Sequence, residues 1–530
     1  MSSSLQTMLN SLGVSVTRLV IDSRAIQPGD TFVAYSGEKS DGRRFIGQAI
    51  AQGANAVIYE KHVMKPLATR LSEQTTPAKS LVMSGQAQNF VWNPSWDIPN
   101  MAVQDLRHKA GDLADAVYGA PSEKLWMVGV TGTNGKTSTS HWIAAALSDA
   151  GKKCALIGTL GNGFADALQA SANTTPDAIH VHGLLADYLD AGAQAVAMEV
   201  SSHALAQGRV NGVRFDVALL TNLTRDHLDY HGDMGSYAAA KRRLFDWQAL
   251  KFAVVNLDDA FGAELALQLR EQEVEVIAYG LTDAALHLAE RYGMRMVYGH
   301  LQQMNIQGLQ LTIRSSWGAA ELHSGLVGRF NAANLLGALA VLLVSGISLD
   351  DAARSLGKVQ SVAGRMQKMG GDGQPTVVVD YAHTPDAMEK VLLALRETSD
   401  VTTDKLICVF GCGGDRDRGK RAMMGRVAEK FSDRCIVTSD NPRSENPHHI
   451  IAEIVSDMSV NNHQIIVERA AAIEHAILLA KSGDIVLLAG KGHEDYQEIG
   501  GVKHPFSDVA VAMQALEKWP VRHGQSGGVQ

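Results

Sequence analysis

Lys136 and Thr137 follow a turn of glycine and threonine, Gly132-Thr133-Asn134-Gly135, which joins an apolar run from Leu125 to a stretch with apolar residues at helical spacing. Strand, glycine turn and helix in that order point backbone N–H groups into one concavity at the positive end of a helix, where a phosphate can replace the missing acceptors. Lys136 is expected to bring a point charge to the outer phosphates without making a core contact, and the Thr137 hydroxyl can sit on Mg²⁺. The pattern is G-x-x-G-K-T. The longer G-x-x-x-x-G-K-[ST] fails because Val130 stands five places before Gly135. Such a turn between strand and helix also arises for steric reasons alone. Glu199 and His227 supply an oxygen and a nitrogen that, with Thr137, could hold a partly hydrated Mg²⁺, although a lone histidine after a strand more often only hydrogen-bonds. Lys241, in YAAAKRRLF, reads by composition as a surface lysine, with Arg242 and Arg243 on the same solvated helix face.

The elements that must position these groups alternate. Residues 1–106 read as a small α/β unit, with VTRLVIDSR and DTFVAYSG as strands and a polar turn from Gly37 to Gly42. The stretch 74–102 has no sustained period and reads as irregular connection ending in a late strand. A helix over Leu106–Val117 leads into the phosphate turn, and residues 107–361 continue as strand and helix in alternation, the pattern of a mostly parallel sheet covered on both faces. Glu199, Ser201, Asn222, Asp226 and His227 fall at the carboxyl ends of strands, where such sheets gather their ligands. After helices near 331–344 and 350–356 the pattern restarts: PTVVVDYA, KLICVFGCGG, DRCIVTSD and GDIVLLAGKG predict a second doubly wound, Rossmann-like sheet over 362–530, with a disordered tail from about Arg522.

Bulk composition narrows the class. A chain of 530 residues is too long for one core. Its net charge of -8 argues against a nucleic-acid or anionic-membrane surface. The apolar stretch near 335–344 is too short and glycine-interrupted to span a bilayer. Cys154, Cys408, Cys412 and Cys435 make no C-x-x-C pair and read as small buried apolar residues in a reducing compartment, so a cytoplasmic α/β protein is expected.

Seven separately placed motifs, TGTNGKTS, EVSSHAL, TNLTRDHLDYHG, GRFNAAN, GRM, DYAHTPD and GKGHEDYQ, resemble those of the Mur ligases, the ATP-dependent amide-forming enzymes of peptidoglycan precursor synthesis. The resemblance covers nearly the whole chain. It implies three domains, with 1–106 binding a UDP-substrate, 107–361 binding ATP and 362–530 receiving the amino acid. ATP would lie on Gly132, Thr133, Asn134, Gly135, Lys136, Thr137 and Ser138, and on Asn331, Asn334, Arg365 and Asp380. Mg²⁺ would rest on Thr137, Glu199 and His227, with Lys241 carbamylated so that a cation becomes a second metal-supporting carboxylate; Lys136, Lys241, Glu199 and His227 would carry the catalysis. A UDP-N-acetylmuramoyl dipeptide would meet Ile21, Ser23, Glu38, Lys39 and Ser40, then Asn173, Thr174, Thr175, Ser201, Gln207 and Arg209. The motif Asp440-Asn441-Pro442-Arg443 implies meso-diaminopimelate as the amine, held with Arg416, Gly490 and Glu494. Proline would fix that turn and aim the Arg443 guanidinium for two parallel hydrogen bonds.

The resemblance further implies a monomer, with neither nucleic-acid partner nor membrane insertion. Read without it, the DNPR tetrapeptide is equally an Asx-type turn capping a strand. Two other readings stay open: a folylpolyglutamate synthase-like ligase, which shares the phosphate loop, and a nucleotide-dependent switch without amide chemistry.

Overall fold

Three large sheets and one two-stranded hairpin, Tyr496–Ile499 with Val502–Pro505, organise the chain in a computed structural model that describes residues 2–37, 40–61, 90–171, 173–398, 403–458 and 463–519. Glu38, Lys39, part of the 74–102 stretch and the tail lie outside the described residues.

The first sheet has four parallel strands in sequence order, Leu19–Val20, Thr31–Ala34, Ala56–Glu60 and Asn100–Val103. The expected strand around VTRLVIDSR shrinks to two residues, because Asp22 turns the chain by capping the short helix at Ser23–Ala25. Asn100–Val103 is the late strand expected after the irregular stretch. Helix Leu106–Val117 presents Leu106, Ala110, Leu113 and Ala114 on one face, the spacing of an amphipathic helix, and packs them with Leu9, Val33 and Ile58 of this sheet. The boundary read at 106/107 therefore corresponds to no break in packing: this helix shares the first sheet's core, together with Ala178 and Ile179 from the start of helix Ala178–Asp190.

The central sheet has eleven strands, and the seven from Cys154–Gly158 across to Arg295–Asn305 run parallel. Both edges are finished by antiparallel strands, Gly161–Phe164 and Ala167–Gln169 on one side and Gly308–Ser315 and Gly318–Ser324 on the other. Helix Arg329–Val344 is buried along nearly all its length, which explains the apolar residues on every side of it from Leu335 onward. It packs on the phosphate-turn helix Lys136–Asp149. Among the described residues no helix is long and apolar enough to cross a membrane.

The third sheet holds the four expected strands as Thr376–Asp380, Ile485–Ala489, Leu406–Phe410 and Arg434–Val437, all parallel, but adds two short edge strands, Gln367–Gly370 and His463–Ile465. These edges are partly exposed and polar, so no buried apolar run announces them. All four cysteines are free and buried, and Cys408 and Cys435 are register partners on adjacent strands.

Candidate active site

Strand Trp126–Thr131 lies between Ala195–Glu199 and Val217–Leu220, so the loops leaving their carboxyl ends meet. At Gly132 (φ 145°) a Cβ would stand 1.9 Å from Thr221 Oγ1, and at Gly135 (φ 89°) 2.6 Å from Asn334 Oδ1. Only glycine lets the turn press against both neighbours. The Asn134 carbonyl accepts from Thr221 Oγ1 (2.6 Å) and Asn222 Nδ2 (3.0 Å), and its N–H donates to Asn222 Oδ1 (3.1 Å). Thr133 Oγ1 donates to Thr224 O at 3.1 Å. Helix Lys136–Asp149 starts without a side-chain cap, leaving its amino end suited to an anion. One expectation is corrected here. Lys136 does make structural contacts: Nζ donates to Gly132 O (2.9 Å) and Thr133 O (3.0 Å), because a partly buried ammonium satisfies its protons on the turn that surrounds it.

Glu199, wholly buried, accepts from Thr137 Oγ1 (2.8 Å) and from Thr159 through N–H (2.7 Å) and Oγ1 (3.2 Å). From the same strand end a chain of bonds runs outward. Thr175 Oγ1 donates to Glu199 O (2.7 Å), Arg209 Nη1 to Thr175 O (2.9 Å) and Arg209 Nε to Gln207 Oε1 (2.7 Å). Thr175 Oγ1 accepts the Ser201 N–H at 3.2 Å, and Thr174 joins through Thr159 at 3.1 Å. Asn173 is exposed beside Ser171, and Ser40 is exposed. In the first sheet Ser23 Oγ donates to Gln48 Oε1 (3.0 Å), and Ile21 packs on the cluster that contains Ala178 and Ile179. Partly buried Tyr35 has its hydroxyl pKa raised by desolvation and then by Asp177, with Arg107 and Arg209 opposing, so the first domain faces the Arg209 network.

A cavity of about 370 Å³ between the central and third domains collects Asn134, Gly135, Ser138, Asn331, Asn334, Arg365 and Asp380. Arg365 stacks over Tyr381 at 4.5 Å, and its Nη2 reaches Thr137 Oγ1 at 3.5 Å, while Asp380 accepts the Met366 N–H at 2.8 Å. Burial raises the Asp380 pKa, with Arg365 opposing.

A second cavity, about 710 Å³, is walled by Asp226 and His227 on one side and by Arg416, Asp440, Asn441, Arg443, Gly490 and Glu494 on the other. His227 sits at φ 54°, its N–H bonded to Asp226 Oδ1 (2.8 Å) and its ring edge-on to His203. Burial pushes its pKa down to about 4 against the pull of Asp226. Among the described residues no hydrogen bond or ring contact joins His227 to Thr137 or Glu199, and no group of three or more His, Cys, Asp and Glu side chains is poised around a metal. The Thr137–Glu199 pair nonetheless suits a small hard cation that keeps most of its water. The surface reading of Lys241 is also corrected. It is 1% exposed because helix Met234–Arg242 turns that face inward, with Nζ donating to Gly132 O (2.7 Å) over the Tyr237 ring. Burial, then nearby Lys136, holds its pKa well below the usual lysine value.

The loops on the Arg443 side of this cavity interlock. Asn441 Nδ2 donates to Glu494 Oε2 (2.8 Å), and a Cβ at Gly490 would stand 2.9 Å from Asp440 Oδ2. Pro442 O lies where a Cβ on Gly414 would fall, so two loops touch through backbone. Arg443 takes φ 52°, with Nη1 donating to Gly414 O (2.7 Å) and Nε 3.3 Å from Glu498 Oε2. Its guanidinium is thus anchored by the protein before any ligand arrives. Sequence reasoning passed over Thr159, Lys491, His383 and Asp386. Lys491, fully buried, donates to Asn441 Oδ1 and Glu494 Oε2, each at 3.0 Å. Lys491 and His383 stand inside quoted motifs just past strand ends, and Asp386 closes the quoted DYAHTPD at the start of the next helix; those positions were the available signal.

Comparisons with known proteins extend the picture. Residues 15–118 match the Mur ligase family, catalytic domain; 130–342 the Mur ligase middle domain; and 364–492 the Mur ligase, glutamate ligase domain. The chain is 48% identical over 515 residues (97% of each chain) to UDP-N-acetylmuramoyl-L-alanyl-D-glutamate--2,6-diaminopimelate ligase of Chromobacterium violaceum, and 46% identical to the protein of that name from Pseudomonas aeruginosa, covering 96% of each. A solved structure bearing that name covers 95% of both chains at 34% identity with a TM-score of 0.63. FolC from E. coli in complex with ADP covers 78% of this chain and 95% of its own at 19% identity and a TM-score of 0.58, a likeness of fold alone. With three domain matches in order along one continuous alignment, and the matched regions carrying the phosphate turn, Glu199 and the loops around Arg443, the chain belongs to the Mur ligase family.

Proposed function

We propose that the chain joins meso-diaminopimelate to the D-glutamate γ-carboxylate of UDP-N-acetylmuramoyl-L-alanyl-D-glutamate, using ATP, as a monomer in cytoplasmic peptidoglycan precursor synthesis. The observation that carries this is the larger cavity, where Asp226 and His227 face the Asp440, Asn441, Arg443 and Glu494 wall beside the nucleotide cavity. The domain limits 1–106, 107–361 and 362–530 belong to this reading, with helix Leu106–Val117 shared between the first two.

A carboxylate is a poor electrophile, so its oxygen first attacks the γ-phosphorus and ADP leaves, giving an acyl phosphate. The acceptor amine then attacks the acyl carbon, loses a proton and expels phosphate. Bringing a carboxylate to a triphosphate needs positive charge, which the turn N–H groups, Lys136 and Arg365 supply. Mg²⁺, when bound at Thr137 and Glu199, would neutralise further phosphate charge. The Arg209, Gln207, Ser201 and Thr175 network would seat the dipeptide, and Ile21 and Ser23 the UDP end. Burial favours a neutral Lys241 amine, the form that bonds to CO₂ and, after losing a proton, becomes a carbamate carboxylate. Asp440 and Glu494 would take the acceptor's ammonium and Arg443 its distal carboxylate.

The test is phosphate release by the purified full chain. It should require ATP, the UDP-muramoyl dipeptide and diaminopimelate together. Hydrolysis of ATP without them would favour a switch, and turnover with a folate substrate would favour the FolC-like reading.

A further inference from the structure

Helix Pro385–Arg396 stands between the two cavities. Lys390 and Val391 line the nucleotide side, while Asp386 and Glu389 line the acceptor side. In its first turn Asp386 Oδ2 accepts from Asn134 Nδ2 (3.1 Å) and from Thr224 Oγ1 (3.1 Å). Both donors belong to the central domain: Asn134 is part of the phosphate turn, and Thr224 follows strand Val217–Leu220. Lys390 Nζ, one helical turn on, lies 3.1 Å from the same oxygen.

These bonds are not needed to build the helix. Thr384 already caps it by accepting the Ala387 N–H, and Pro385 occupies its first position. A carboxylate in the first turn is favourable on any helix, but the helix dipole does not require it to reach two side chains of another domain. Nor can Asn134 follow passively, since its backbone is tied to Thr221 and Asn222 by three hydrogen bonds. Hydrogen bonds to an ionised oxygen are stronger than neutral ones, so fixing Asp386 fixes the helix that divides the cavities against the phosphate turn.

We propose that Asp386 is a positioning residue, a latch that holds the acceptor domain against the phosphate turn so that the amine, rather than water, meets the acyl phosphate. The inference rests on the reading of the reaction given above. Without the latch the cleft opens more often. Water then attacks the acyl phosphate, giving back the carboxylate and releasing phosphate with no amide formed.

The experiment compares the full chain with Asp386→Ala, Asp386→Asn, Thr224→Val and the Asp386→Ala/Thr224→Val double variant. Phosphate and amide are measured in the same reactions, with KM for ATP and for diaminopimelate. Asp386→Ala should lower the rate of amide formation by about tenfold, Thr224→Val by severalfold, and both should raise the ratio of phosphate to amide above one. Asp386→Asn should fall between wild type and Asp386→Ala. The double variant should be no worse than Asp386→Ala, because the two side chains share one interaction. A general weakening of the fold would slow the reaction without changing the product ratio. A ratio that stays at one in every variant overturns the latch, as does full additivity, or an ATP KM that rises in step with the lost rate. Thr224→Val keeps the side-chain shape and carries the same test if Asp386→Ala does not fold. A wild-type chain that forms no amide from these substrates overturns the reaction itself, and the latch with it.

Discussion

At the nucleotide end of the cleft one unbroken run, residues 132–138, supplies turn, ammonium and hydroxyl, with the shape fixed locally by glycines at φ 145° and 89° and by a helix end. At the acceptor end the groups come from loops far apart in sequence, around Gly413, Asp440 and Gly490, and their positions depend on charges tying one loop to another. Arg421 holds Glu445, Glu453 and the Gly413 carbonyl, and Lys491 holds Glu494 and Asn441. A locally coded site needs little from the rest of the fold. A site assembled at long range needs a rigid frame, and buried ions hydrogen-bonded to several loops at once provide one at the cost of desolvation.

If that contrast is right, the largest single effect lies at the acceptor end and concerns selectivity. Diaminopimelate carries one carboxylate that lysine lacks, so lysine would leave the part of the Arg443 guanidinium not held by Gly414 O and Glu498 without its ligand carboxylate. Sites built on a polar partner reject the analogue lacking it by roughly 10⁴-fold. Arg443→Ala should collapse that preference in kcat/KM to near unity by losing diaminopimelate turnover, with KM for ATP unchanged. Comparable wild-type values for the two amino acids, or a variant that keeps its preference, would refute the assignment.

The second effect sharpens the nucleotide side. Lys136→Ala should reduce kcat by about 10²- to 10³-fold, the range for removing one main electrostatic contact to the transferring group. The ammonium also holds two turn carbonyls, so Lys136→Met, which keeps the stem, and a thermal melt should accompany it. Loss of rate with an unchanged melt in the methionine variant places the effect on the phosphates. Phosphate release within about fivefold of wild type would show the turn to be structural.

The same contrast explains what could be read from sequence. The phosphate turn, the parallel sheets and Glu199 at a strand end were legible because period, glycine placement and strand termini are local signals. Lys241 was not, because its burial depends on which face of helix Met234–Arg242 meets the phosphate turn, and its neighbours Arg242 and Arg243 pointed to solvent. Lys136 was read for its charge and not for the turn carbonyls it ties, since nothing in a sequence says where an ammonium's protons go. The cross-domain bond from Asp386 to Asn134 spans 252 residues and left no trace in local pattern. The family resemblance supplied the list of residues expected at the acceptor, yet the frame behind them, Arg421 and Lys491, belongs to packing that only the fold reveals.

The smallest effect probes that frame. Glu445 Oε1 accepts from Arg421 Nη2 at 2.8 Å and from the Asp415 N–H at 2.6 Å, so it fixes the loop beside Arg443. The Arg421 guanidinium holds the Glu445 pKa at about 2, below its ordinary 4.5. A depressed carboxyl pKa adds stability that is present above 4.5 and is lost as pH falls toward 2. The Arg421 side chain is 1% exposed but that of Glu445 is 21% exposed, so water screens the pair and about 1 kcal/mol is the expected contribution. Glu445→Gln should therefore melt slightly below wild type at pH 7, with the gap shrinking by about half or more at pH 3. The amide keeps the loop's shape but weakens its anchor, so KM for diaminopimelate should rise a few-fold while KM for ATP stays put. A pH-independent gap would mean that the carboxylate's charge does not hold the loop. An equal rise in both KM values would mean that the two ends of the cleft share one frame, and the contrast between them would fail.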